Sequence, residues 1–124
     1  MTCRGVRGAT SVEDNTEQAI RVATTILLER IVSTNGIAIE DIASVVFTAT
    51  ADLDATYPAR AARDLGWNST PLLCTKEMNV RNSLPLCVRV LILWNTNTPI
   101  EQIKHVYMGA AASLRPDLAE KEEE

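Results

Sequence analysis

The sequence is poor in the residues that most often carry reaction chemistry. Its one histidine, His105, has neither a second histidine nor a paired cysteine near it, which excludes the usual zinc site. Cys3, Cys74 and Cys87 are odd in number and none shares a CxxC spacing, so they read as reduced thiols and not as a disulfide framework or redox pair. There is no glycine-rich phosphate loop, and no motif sets a nucleophile beside its base. Aromatics are few, and no basic stripe is interleaved with them, which argues against nucleic acid as a partner. No apolar run approaches a membrane span. Residues 1–8 set Arg4 and Arg7 among glycines, unlike a signal peptide, so the expectation is a soluble, unexported, cytoplasmic protein.

What is present is an ordinary globular balance, 46% hydrophobic and 23% charged over 124 residues, enough for one domain with a real core and no metal or disulfide staple. The last five residues, four Glu and one Lys, carry most of the formal net charge of −4. The expected organisation is a single domain over residues 1–118 and a solvated, flexible acidic tail over 119–124. Among the basic residues nine are Arg and three are Lys, a bias toward the planar fork that holds carboxylates, although codon bias produces the same ratio.

Residues 2–8 read as a strand in which Gly5 and Gly8 allow close backbone approach or a bulge. A helix is predicted over 15–34, with Asp14 or Asn15 as its N-cap, a core stripe of Ile20, Ala23, Leu27 and Ile31, and a stop at Asn35-Gly36. A short helical turn near 40–43 leads to a buried strand at 44–50. Pro58 opens a second helix that stops at Gly66. Strands follow at 71–75 and 86–95, then a helix from Thr98-Pro99 to about Lys104 and a last strand at 105–108. The order β-α-β-α-β-β-α-β predicts an α+β (mixed α/β) domain with one principal sheet and helices on one face. Val88, Val90, Ile92 and Trp94 share one parity on the long strand and are expected on the face that the helices leave open, which calls for sheet-to-sheet oligomerisation.

Within the run from Leu86 to Trp94, Arg89 is a costly charge unless paired. It is either an arginine on a solvated face or paired with an internal acid, or one awaiting an anionic ligand; the residues alone leave both open. Glu77 and Arg7 read by default as strand-end charges, and Arg60 and Arg63, three apart, as one solvated helix face. Tyr107 reads as packing and His105 as a structural or surface histidine. Cys74 and Glu77 have opposite parity, so they share a site only if the strand ends or bulges between them.

Taken together, five segments point further: RGVRGATSVEDNTE at 4–17, ATADLDATYPARAAR at 49–63, PLLCTKEMNV at 71–80, LCVRVLILWNT at 86–96 and HVYMGAAASLRPDL at 105–118. In motif and spacing, over nearly the whole chain, the sequence resembles the small monofunctional chorismate mutases of the bacterial AroH class. The resemblance implies a homotrimer whose sheets face one another around a pseudo-barrel, with active sites at subunit interfaces. Its substrate would be chorismate, rearranged to prephenate in the synthesis of phenylalanine and tyrosine. That unimolecular pericyclic step breaks a carbon–oxygen bond as a carbon–carbon bond forms, and it calls for no cofactor, metal or nucleophile. The enzyme supplies a compact substrate shape and complementary charge.

By the same resemblance, Arg89 donates to the ether oxygen, Arg7 with Tyr107 holds the side-chain carboxylate, and Glu77 with Cys74 binds the ring hydroxyl. Tyr57, Ala59, Arg60, Leu72, Leu73 and Cys74 would line one wall, with Arg7, Glu77, Arg89 and Tyr107 coming from the adjoining chain. Arg63, Leu114 and Arg115 would lie near the entrance, where Arg60, Arg63 and Arg115 meet the more exposed ring carboxylate. Three positions depart from the family pattern: Arg60 stands where lysine is common, Tyr57 where phenylalanine is, and Leu73 where a small hydroxyl residue is. The competing readings are a non-catalytic trimeric anion-binding or regulatory module, and a trimeric enamine or imine deaminase, whose own arginine motif is not recognised here.

Overall fold

The computed structural model describes residues 1–115. The expected acidic tail lies outside the described residues. Five strands form one mixed sheet: β1 (Thr2–Ser11), β2 (Ile42–Ala49), β3 (Leu72–Lys76), β4 (Cys87–Thr96) and β5 (Val106–Met108), in the order β3-β2-β4-β1-β5. β4 is antiparallel to both β1 and β2, while β3 and β5 run parallel to their neighbours at the two edges. Helices α1 (Glu17–Asn35) and α2 (Ala59–Asp64) complete the α+β domain. No helix among the described residues is long and apolar enough to cross a membrane.

The N-cap of α1 is Thr16, whose hydroxyl accepts from the Ala19 N–H, and not Asp14 or Asn15. Asn15 is occupied elsewhere: its side-chain oxygen accepts from the N–H groups of Asp54 and Ala55, each at 3.0 Å. At the other end Gly36 takes the expected left-handed turn, with φ 67°. Asn35 ties that end to the strand leading into β5, donating to the Lys104 carbonyl and accepting the Lys104 N–H. The helix predicted over 98–104 is only a 3-10 turn, Ile100–Gln102, with no side-chain cap and too few residues for α-helical hydrogen bonding to propagate. A further 3-10 turn, Gly109–Ser113, follows β5 and was not foreseen.

Nor do Gly5 and Gly8 mark a bulge. β1 pairs with β4 without interruption from Thr2↔Thr96 to Ser11↔Cys87, and the one register shift lies between Ile42 and Ser44 in β2. Close approach is what Gly8 provides, since a Cβ there would lie 2.6 Å from Cδ1 of the fully buried Ile31 and 3.2 Å from Leu27 and Val90. Gly8→Val should therefore destabilise the domain by about 2–3 kcal/mol through overpacking. A thermal melt reads this directly, and an unchanged midpoint would contradict the packing.

The expected stripe of α1 buries Ile20, Leu27 and Ile31, joined by Leu28 and Thr24. Leu27, Leu28 and Ile31 pack with Val6, Val45, Phe47, Val90, Ile92 and Trp94, while Ile20 packs with Val12, Leu53 and Val88. The parity assignment on β4 is thus corrected: Val88, Val90, Ile92 and Trp94 are the residues the helices cover, each at most 4% exposed. Period 2 separates the two faces of a strand but does not say which one the helices take. The open face carries the other parity, Arg89, Leu91 and Leu93, together with Arg7 from β1, Val46 from β2 and Leu73 from β3. Leu73 is 61% and Leu91 39% exposed, so the single chain leaves an apolar strip running from the middle of its sheet to the β3 edge.

Candidate active site

Strand register assembles the open face into rows, because cross-strand partners project to the same side. One row runs Tyr107, Ala9, Arg89, Thr48, Thr75, and the next runs Arg7, Leu91, Val46, Leu73. Arg7 and Arg89 are consequently diagonal neighbours on paired strands. Arg89 sits on β4, hydrogen-bonded on both sides, which leaves its backbone little freedom. Its Nε lies 2.9 Å from Oε1 of Glu77, yet the N–H is not aligned on that oxygen, and Nε is buried without a hydrogen bond. The Glu77 N–H donates to the Ala49 carbonyl at 2.9 Å, just past the end of β3. A guanidinium with an unsatisfied donor beside a carboxylate is suited to an anionic or polar ligand.

Tyr107 is 6% exposed and packs with Ala9, Cys87 and Ala111, with Leu114 against that cluster. Beside it, the Arg7 backbone N–H donates to Nδ1 of His105 at 2.9 Å, which makes that ring nitrogen an acceptor. Burial pulls the His105 pKa below its ordinary value, and the charges of Arg7 and Arg115 lower it further. Because the folded-state pKa is depressed, the unfolded chain binds this proton more readily. The corresponding stability is complete above the ordinary value of 6.5 and is lost as pH falls below it. A melting midpoint that declines from pH 6.5 to about 5 is expected, and His105→Asn, which retains an acceptor near the Nδ1 position, should flatten that decline. The same slope in both proteins would contradict it.

The remaining predicted residues gather elsewhere. A groove of about 760 Å³ is lined by Glu17, Thr50, Tyr57, Arg60, Cys74 and Lys76, among others. Pro58 starts the turn that becomes α2, its carbonyl accepting from the Ala61 N–H. α2 is pinned to α1 by Arg21, which meets Asp64 at 2.7 and 2.8 Å and Glu17 at 3.0 Å. Glu17 also lies 3.7 Å from Arg60, so Arg60 faces the groove with an acid beside it. Burial raises the Cys74 pKa, and the Ala59 backbone hydrogen bond and the charge of Arg63 offset part of that. Tyr57 is 71% exposed at the rim. Ala59 is buried at the start of α2, and Leu72 packs toward the core with Cys74. Leu73, of opposite parity, points to the open face and does not line this groove.

One chain therefore brings Arg7, Glu77, Arg89 and Tyr107 to the open face and Tyr57, Arg60 and Cys74 to the groove. β3 ends between Cys74 and Glu77 without turning them to a common side. A second groove on the outer face of α1, lined by Val22, Ile26 and Arg21, contains none of the predicted residues. No group of three or more His, Cys, Asp or Glu suited to a metal is found among the described residues.

Sequence reasoning assigns no role to Thr50, at the end of the strand expected at 44–50, or to Asp52 just beyond it. Both Asp52 carboxylate oxygens accept from the Leu86 N–H, at 3.1 and 3.0 Å, and one of them also accepts from the Thr50 hydroxyl. The backbone groups they hold, on Leu86 and Cys87, are more than thirty positions away, so no local spacing announces them.

Fold and site together define a small α+β domain with two arginines, Arg7 and Arg89, on the open face of its sheet. The comparisons say which one. The family model for chorismate mutase type I matches residues 3–118. Chorismate mutase AroH of Thermus thermophilus is 49% identical over 93% of this chain and 95% of its own length, and that of Bacillus subtilis is 44% identical over 96% and 94%. A solved chorismate mutase from Clostridium thermocellum superposes with a TM-score of 0.88 at 45% identity, covering 89% of this chain and 98% of that one. The chain belongs to the chorismate mutase type I family, the monofunctional AroH class of isomerases.

Proposed function

We propose that this protein rearranges chorismate to prephenate at sites shared between adjacent copies of a homotrimer, with Arg89 as the principal source of transition-state charge. Arg89 donates to the ether oxygen, where negative charge grows as the carbon–oxygen bond breaks. It does so from a rigid central strand and so needs little reorganisation when the charge develops. Arg7 and Tyr107 hold the side-chain carboxylate. Glu77, beside Arg89, and the partner's Cys74 take the ring hydroxyl. Arg60, with Arg63 and Arg115, receives the ring carboxylate at the rim.

The single observation that carries the reading is the buried Nε of Arg89, 2.9 Å from Glu77 and without a hydrogen bond of its own. A shared site is supported by the placement of Arg7 and Arg89 on the open sheet face and of Tyr57 and Arg60 in the groove, and by the apolar strip of Leu91, Val46 and Leu73 in the same row as Arg7. Covering that strip with a second sheet removes apolar area from water and brings a neighbour's groove toward Arg7 and Arg89.

Purified protein mixed with chorismate tests the reading directly. Chorismate absorbance should fall and prephenate appear without added metal or cofactor, from a particle of about three times the 13.6 kDa chain mass. Binding without rearrangement above background would instead identify a non-catalytic anion-binding module.

A further inference from the structure

We propose that Asp52 is a positioning residue for Arg89, acting through the backbone where the chain enters β4. The inference rests on the role given to Arg89 above and adds a residue outside the predicted site.

Leu86 immediately precedes β4 and has φ 48°, in the left-handed region that a leucine side chain disfavours. Something must hold it there. Both oxygens of Asp52 accept from its N–H, and its carbonyl accepts from the Val12 N–H at 2.8 Å. The next amide, that of Cys87, donates to the Thr50 hydroxyl at 3.0 Å, and that hydroxyl in turn donates to Asp52. One carboxylate thus secures two consecutive amides, the first directly and the second through Thr50. The Thr50 N–H closes the arrangement on the Cys87 carbonyl at 3.0 Å.

The same stretch also holds the other side of the Arg89–Glu77 pair. Ala49, next to Thr50, accepts the Glu77 N–H. Residues 49–52 therefore fix the chain at Glu77 and again three positions before Arg89, the two ends of the loop between β3 and β4. Asn15 holds this segment from the far side through Asp54 and Ala55. Losing the Asp52 carboxylate frees Leu86 to relax toward negative φ. The start of β4 then shifts, and the guanidinium shifts with it relative to the developing oxyanion.

The test compares Asp52→Ala, Asp52→Asn and the double variant Asp52→Ala/Leu86→Gly, with Arg89→Ala as reference, all assayed with chorismate well below their melting temperatures. Asp52→Ala should lower kcat about tenfold with KM changed less than about twofold, short of the ~10²-fold cost of a 1 Å misplacement. Asp52→Asn, which keeps one acceptor oxygen, should recover part of that loss, and it remains informative if Asp52→Ala fails to fold. Leu86→Gly in the Asp52→Ala background should also restore kcat, because glycine takes the left-handed backbone without the clamp. Unchanged kcat in Asp52→Ala (or, where that variant does not fold, in Asp52→Asn), or no recovery in the double variant, would overturn the positioning role. Normal turnover in Arg89→Ala would instead overturn the reading of Arg89 itself.

Discussion

Replacing Arg89 with alanine should collapse turnover and leave the fold standing. Removing one preorganised donor aimed at developing negative charge costs about 3–4 kcal/mol, and the loss of a charged donor is expected at or above that range. In rate this is on the order of 10²–10³ in kcat. The side chain projects from the open face, whereas the core depends on Val88 and Val90 of the opposite parity. Circular dichroism and the melting midpoint should therefore change little. Arg89→Lys sharpens the result, since lysine keeps the charge but offers a point donor in place of the planar fork. It should recover only part of the rate. Near-normal kcat in Arg89→Ala would refute the assigned role.

A cation placed on the apolar strip should have the second large effect. In the single chain Leu91 is partly exposed, paired across the sheet with Arg7 on one side and Val46 on the other. Leu91→Lys costs the isolated chain little, because the ammonium reaches water from an exposed position. In a trimer with facing sheets the same substitution sets three ammonium groups in an enclosed apolar space, each beside an Arg7. Burial without a partner costs several kcal/mol per ion. Lys is the informative choice, because an acid at this position would pair with Arg7 and blunt the effect. The expected outcome is a folded monomer by sedimentation, with chorismate turnover lost because neither half of a site meets its complement. A trimer of unchanged mass and activity would sink the shared-site proposal.

Much of the fold was legible in the sequence because it is written in local chemistry. Helical periodicity marked the buried side of α1, Asn35-Gly36 marked its end, and Pro58 and Gly66 bracketed α2. The strands fell within a few residues of their observed bounds, apart from the longer β1. The helix expected at 98–104 shows where local signals mislead: Thr98-Pro99 resembles a helix start and Ile100 and Ile103 share helical spacing, but Ile100 stays exposed and only Ile103 is buried, so the chain makes a single 3-10 turn. The cap of α1 failed for a different reason. Asp14, Asn15 and Thr16 are all competent caps, and the choice fell to Thr16 because Asn15 is claimed by a loop 39 residues away.

The candidate site divides along the same line. The sequence by itself determined which chemistry is present: an arginine-rich set without a metal cluster or an activated nucleophile, in segments whose spacing places the chain in its family. Residue type and motif spacing are properties of the chain, and no folding is needed to read them. Tertiary structure alone decided which side of β4 faces the helices, which residues share a row with Arg89, and that Cys74 and Glu77 look away from each other. It also revealed the clamp of Asp52 on Leu86. These depend on strand register and on contacts between distant residues, and a local pattern of period 2 is equally satisfied by either face of a sheet.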